Sequence, residues 1–126
     1  MFRMKILDFA NDEYINLITY RKDGTQVPTP VWLASLDNSL VVTTSLNAGK
    51  VKRVRANGKA SIYKTNQSGS KKLSEEIDVK ALIIEDENEK QRGIKSIQKK
   101  YSPMYKLFMR GPDENRAIIK LEEKEE

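Results

Sequence analysis

The spacing of apolar residues along this chain changes period several times. Over the first turns, roughly Phe2 to Asn11, Phe2, Ile6 and Phe9 fall on one face at helical spacing, which predicts a short helix. The next segment, YINLITYRKDGTQVPTPVWLASLDNSLVVTTS (14–45), is rich in β-branched and aromatic residues. Asp23-Gly24 and Asp37-Asn38 punctuate it, so it predicts three strands joined by tight turns. Pro28 and Pro30 stand inside the second of these strands. Each lacks a backbone donor, which places that strand at an edge, a bulge or a barrel opening.

From about Gly49 to Ala56, Val51 and Val54 sit three apart and predict a short helix with one core-facing side, followed by a strand around Ala60–Lys64. SEEIDVKALIIEDE (74–87) alternates and then runs apolar, a pattern for a long strand. ENEKQRGIKSIQKKYS (87–102) has Ile94, Ile97 and Tyr101 at helical spacing and reads as a helix in spite of Gly93. PMYKLFMRG (103–111) opens with Pro103, favoured at the first helical position, and closes at Gly111, so a further helix is expected there. RAIIKLE (116–122) predicts a last strand, and the acidic tail from about residue 122 is expected to fray. The fold class expected is mainly β with helical decoration (α+β), a six-stranded antiparallel barrel in one domain spanning residues 1–126.

The chain contains neither cysteine nor histidine. That removes disulfides, thiolate zinc sites, Ser-His-Asp and Cys-His nucleophiles and the commonest general base near neutral pH. No apolar run reaches the roughly eighteen residues that a membrane span needs, and the first residues carry acids where a signal peptide would be apolar. A cytoplasmic protein is expected. The net charge of +5 permits anionic partners in general and selects none.

One stretch concentrates that charge. In VVTTSLNAGKVKRVRAN (41–57) a strand ends in the hydroxyls of Thr43, Thr44 and Ser45, turns, and restarts with Lys50, Lys52, Arg53 and Arg55. On a helix, Lys50 and Arg53 share a face near the start, where free N–H groups also favour an anion. A phosphate cradle and a solvated basic face both fit this pattern. Trp32, the single tryptophan, lies in TPVWL (29–33), where interrupted strand pairing leaves backbone groups for a planar ligand; taken on its own, the residue is better read as a core or dimer-interface tryptophan. The acids between Glu75 and Glu89 have no metal-ligand spacing and read as solvated surface. A chain with such a cradle and no acid–base set does chemistry only if a cofactor brings the reactive atom.

YINLITYRKDGTQVPTPVW and TTSLNAGKVKRVRAN together resemble the pyridoxamine-5′-phosphate-oxidase-like, FMN-binding split-barrel superfamily, most closely its short flavin/deazaflavin oxidoreductases. The order of strand, Lys-Asp-Gly turn, Pro-Val-Trp strand, Thr-Thr-Ser strand end and Gly-Lys-x-x-Arg helix carries the resemblance, which extends over about residues 13–121. It implies an antiparallel split barrel that forms a homodimer and binds FMN, or alternatively coenzyme F420. It also implies that Lys50 and Arg53 hold the cofactor phosphate with help from Thr44, Ser45 and Lys52, while Pro30, Val31 and Trp32 line the ring. The implied activity is hydride transfer between that cofactor and a small substrate, with no catalytic side chain assigned. True pyridoxamine phosphate oxidases have a substrate-binding C-terminal segment with no counterpart in NRAIIKLEEKEE (115–126), which argues against that activity. A non-catalytic flavin-binding protein or sensor fits the same residues. A single-stranded nucleic-acid-binding barrel fits less well, since the cations cluster on one helix instead of along strands.

Overall fold

A computed structural model of the protein describes residues 4–102 and 113–124. Seven strands, β1 (Ile15–Tyr20), β2 (Gln26–Val31), β3 (Leu33–Leu36), β4 (Ser39–Ser45), β5 (Lys59–Lys64), β6 (Ile77–Ile83) and β7 (Arg116–Glu123), form one sheet in the order β2-β1-β5-β6-β7-β4-β3. Every pairing is antiparallel. The sequence predicts six strands. The seventh arises because the segment expected to be a single second strand changes partner at Trp32: Val31 pairs with Ile15 of β1, and Leu33 pairs with Val42 of β4. The sheet's two edges are therefore one residue apart along the chain. Such a sheet cannot lie flat, and it curls until its edges meet. The edge position expected from Pro28 and Pro30 is observed, since β2 pairs only with β1.

The inner face of the curl carries Leu17, Leu33, Leu40, Val42, Ile62, Val79, Ile119 and Leu121. A 3-10 turn at Ile6–Phe9 and the helix α1 (Gly49–Asn57) add Ile6, Phe9 and Val54 to this core. Val51 and Val54 are buried, as their spacing predicts. The helix α2 (Glu87–Tyr101) packs Ile94, Ile97 and Tyr101 on the outer face, against Ala34, Val41 and Ile118. Gly93 has a packing reason: a Cβ there would sit 3.1 Å from Ile118 Cγ2, so α2 lies close to the sheet because that residue has no side chain.

Two boundaries differ from expectation. β6 is shorter than the run 74–87, since residues 65–76 form a loop. β7 continues through Glu122 and Glu123, where fraying is expected, because both pair with β6 and the Glu123 carboxylate accepts a hydrogen bond from the Ile6 N–H at 2.6 Å. Phe2 and the helix expected over 103–111 lie outside the described residues. Among the described residues no helix is long and apolar enough to cross a membrane.

The end of α2 secures the seam between β2 and β3. Lys100 Nζ donates to the carbonyls of Ala10, Asp12 and Leu33 at 2.9, 2.6 and 2.8 Å. Burial lowers its pKa to about 8, against the opposing pull of the Asp12 and Glu13 carboxylates. The Tyr101 hydroxyl accepts from Leu33 N–H at 3.0 Å and lies 2.7 Å from Glu13 O and 2.9 Å from Leu33 O. Burial also pushes the Tyr101 phenol well above its ordinary pKa, so it remains a donor. Its ring stacks on Trp32, with centroids 4.2 Å apart and planes 10° from parallel.

Lys100→Met strands three carbonyls and is expected to destabilise the fold by ~2–4 kcal/mol; Tyr101→Phe keeps the stack and is expected to cost ~1–3 kcal/mol. Urea unfolding monitored by circular dichroism measures both. Losses below about 0.5 kcal/mol, the range of ordinary surface changes, would remove these two residues from the seam's support.

Candidate functional site

Helix α1 begins without the usual cap. Ala48 stands at the N-cap with no side-chain hydrogen bond, and no acid occupies the first turn. The positive end of the helix is thus left to whatever anion approaches it. Two cations flank it. Arg53 donates through Nε to Thr19 Oγ1 at 2.7 Å, and its guanidinium folds back over Gly49. A Cβ at Gly49 would lie 2.8 Å from Arg53 Nη1, so the glycine makes room for that cation. Lys50 is held below the ordinary lysine pKa, first by burial and then by the Arg53 charge beside it. Among the described residues Lys50 has no carboxylate partner. Two like charges side by side at a helix start favour a bound anion.

Beside this lies a cleft of about 350 Å³ lined by Tyr14, Pro30, Val31, Trp32, Thr43, Lys50, Gln67 and Arg116. Its volume falls in the lower part of the range for small-molecule sites. Pro30, Val31 and Trp32 give it an apolar wall at the seam, and among the described residues no acid lines it. Thr43 Oγ1 is shielded from solvent and makes no hydrogen bond among the described residues. An orphaned buried hydroxyl is costly, and a polar ligand group would satisfy it.

Gln67 is brought to the cleft by the 65–76 loop. The buried Asn16 donates through Nδ2 to Gly69 O at 2.9 Å and to Tyr63 Oη at 2.8 Å. Gly69 has φ +76°, and a Cβ there would meet Asn16 Oδ1 at 2.9 Å, so only glycine seats the loop this closely.

Of the residues expected at the site, Lys50, Pro30, Val31 and Trp32 converge on the cleft, and Arg53 lies at the adjoining helix start. Thr44 shares the inner phase of β4 with Leu40 and Val42 and is buried; Ser45 is exposed at the strand end; Lys52 is exposed on another side of α1. None of these three lines the cleft. Tyr14, Thr43, Gln67 and Arg116 line it without having been expected there. Thr43 was visible as one of three hydroxyls, but its pleat phase was not. Arg116 and Gln67 are remote in sequence and carry no local signal.

A larger groove of about 630 Å³ includes Tyr20, Lys59, Asp78, Lys80, Glu122 and Glu123. Its charges are mixed, and its central polar groups satisfy one another: Tyr20 Oη and Ser61 Oγ are 2.7 Å apart, and Ser61 Oγ donates to Asp78 at 2.7 Å. The smaller cleft has the stronger chemical claim, because among the described residues Lys50 has no carboxylate partner and the Thr43 hydroxyl has no hydrogen-bond partner. The donor set there fits a ligand with a phosphate for Lys50, Arg53 and the helix start, and a planar body for the Pro30–Trp32 wall.

Neither a protein-family model nor a curated protein matches this sequence. Solved structures match it along nearly its whole length. An F420 reductase is 16% identical, covering 98% of this chain and 97% of its own, with a TM-score of 0.63. An FAD-binding protein from Mesorhizobium loti is 13% identical, with 99% and 91% covered and a TM-score of 0.69. A Listeria innocua protein provisionally named a pyridoxamine 5′-phosphate oxidase is 20% identical, with 95% and 89% covered and a TM-score of 0.67. At these identities the likeness is one of fold. The chain has the fold of the pyridoxamine-5′-phosphate-oxidase-like split barrels.

Proposed function

We propose that this chain binds a phosphate-bearing flavin-type cofactor, FMN with F420 as the alternative, and serves as an oxidoreductase acting on a small substrate. The observation that carries this reading is the uncapped start of α1, where Lys50 and Arg53 stand side by side next to an acid-free cleft walled by Trp32. The related folds of an F420 reductase and an FAD-binding protein support it. When bound, such a cofactor supplies a ring able to give or accept a hydride.

The chain's own residues would divide the remaining work. Lys50, Arg53 and the first N–H groups of α1 hold the phosphate. Thr19 steers Arg53, and Gly49 leaves it space. Pro30, Val31 and Trp32 seat the ring and exclude water on one side, with Gln67 offering hydrogen bonds to its polar edge. A second copy of the chain would complete the enclosure. Glu85 lies 3.3 Å from Arg55, so the outer stripe of α1 is less basic than its sequence suggests, which favours FMN over the acid-tailed F420. A non-catalytic carrier or sensor is the second reading. The absence of any acid among the residues lining the cleft, in a chain without histidine, supports it.

Trp32 provides the readout, being the only tryptophan. Titration of the protein with FMN and, in parallel, F420 is expected to give saturable quenching by at least one. The Lys50→Ala, Arg53→Ala double variant should fold normally and lose ~1.5–3 kcal/mol of affinity for each contact removed. Unchanged affinity sinks the phosphate cradle. Absent quenching, together with salt-steep oligonucleotide binding, would move the assignment to nucleic acid. Turnover of the bound, reduced cofactor by added acceptors separates the enzyme from the carrier.

Gly49→Ala tests the cradle's geometry. It should change stability by no more than about 0.5 kcal/mol, since only a flexible guanidinium must move, yet weaken cofactor binding. Equal affinity would show that Arg53 does not need its place over the helix start.

The lowered pKa of Lys50 has a pH consequence. As pH rises, this ammonium loses its proton before an ordinary lysine (pKa about 10.4) does. A bound phosphate restores the proton, so affinity should fall by up to about tenfold per pH unit once the lowered pKa is passed. FMN titrations from neutral to alkaline pH measure this. A fall that Lys50→Met leaves unaltered would assign it to another group.

A further inference from the structure

The cleft has a second cationic wall, separate from α1. Arg116 opens β7 opposite Ser45, and Thr43 pairs with Ile118, so Arg116 and Thr43 lie diagonally across two paired strands on the same face. Diagonal neighbours of this kind stand about 7–8 Å apart, within the span of one small ligand group and a long side chain. Both residues line the cleft together with Trp32, which follows β2 one step before the Leu33–Val42 pair and so falls beside Thr43. Arg53 and the free start of α1, by contrast, belong to the other cationic wall.

We propose that the second reactant at this site is a small organic carboxylate, seated by Arg116 and Thr43. The inference rests on the reading of the cleft as a flavin-type cofactor site and names the class of molecule that meets the cofactor there. A guanidinium presents a planar pair of donors that matches a carboxylate, and a threonine hydroxyl adds one more donor. The hydrocarbon part lies on the open side of the cleft, against the ring that would rest on Pro30, Val31 and Trp32. A cationic reactant is repelled by Lys50 and Arg116 in the same cleft. A neutral apolar reactant leaves the shielded Thr43 hydroxyl without a partner.

Benzoate and benzamide, alike in shape and different in charge, test this on the FMN-loaded protein through the visible absorption of the bound flavin. Benzoate should bind at least tenfold more tightly than benzamide. Arg116→Met should abolish that preference, Arg116→Lys should restore part of it, and Thr43→Val should weaken benzoate several-fold. The ratio of FMN to riboflavin affinity reads the phosphate site alone (for F420, the comparison is with its phosphate-free core). Lys50→Ala should collapse this ratio and Arg116→Met should leave it unchanged.

Equal binding of benzoate and benzamide, or binding of neither, overturns the proposal while the cofactor reading stands. A collapse of the FMN/riboflavin ratio in Arg116→Met also overturns it, because Arg116 would then serve the phosphate. If wild-type protein binds neither cofactor, the cofactor reading fails and the proposal falls with it.

Discussion

The architecture depends on a single covalent constraint. β2 and β3 are opposite edges of a seven-stranded sheet, yet only Trp32 separates them in the chain. Closing the sheet brings backbone groups at the seam out of regular pairing, and buried backbone polar groups must find partners elsewhere. The last two residues of α2 provide them. Lys100 gathers three carbonyls from the N-terminal segment and from Leu33, and the Tyr101 hydroxyl engages both the N–H and the carbonyl side of Leu33. An ammonium has three protons to donate and no lone pair, so it suits a convergence of carbonyls. Burial opposes the charge, which is why its pKa falls, and the hydrogen bonds offset that cost.

The same seam positions the candidate site. Trp32 is held on one face by Tyr101, and the residues before it, Pro30 and Val31, form the cleft's apolar wall. Helix α1 enters through Val51 and Val54, whose burial fixes its rotation and leaves Lys50 and Arg53 at the cleft side. The contrast between neighbouring regions is chemical. At the seam, and along Tyr20–Ser61–Asp78, polar groups satisfy one another; at the cleft, the Thr43 hydroxyl has no hydrogen-bond partner and Lys50 no carboxylate partner among the described residues.

The position of charge on α1 shows how tertiary context edits a sequence pattern. Four cations in six residues read as one basic block. Folding separates them: Arg53 turns back over the helix start under the direction of Thr19, Lys50 enters the cleft, Arg55 meets Glu85, and Lys52 remains in solvent. A count of charges would assign all four the same role. The environments give them different ones.

Local chemistry in the sequence determined the antiparallel strands, the turns at Asp23-Gly24 and Asp37-Asn38, both described helices and the edge placement of the proline strand. Each depends on interactions within a few residues: side-chain period, missing N–H donors, glycine at positive φ. The Lys50–Arg53 pairing and the Pro30–Trp32 wall were legible for the same reason. The break at Trp32 was not, because a strand's partner is chosen by the curl of the whole sheet and not by its own residues. Nor was the choice of Thr43 over Thr44, since alternation gives two faces and only packing against α2 and the inner core says which is which. Arg116 and Gln67 reach the cleft from β7 and a distant loop, joined to it by cross-strand register and by the Asn16–Gly69 contact. Sequence determined the elements and half of the cleft's lining. The remaining half is a property of tertiary register, in which residues distant in the chain become neighbours only through strand pairing and loop packing that no local pattern encodes.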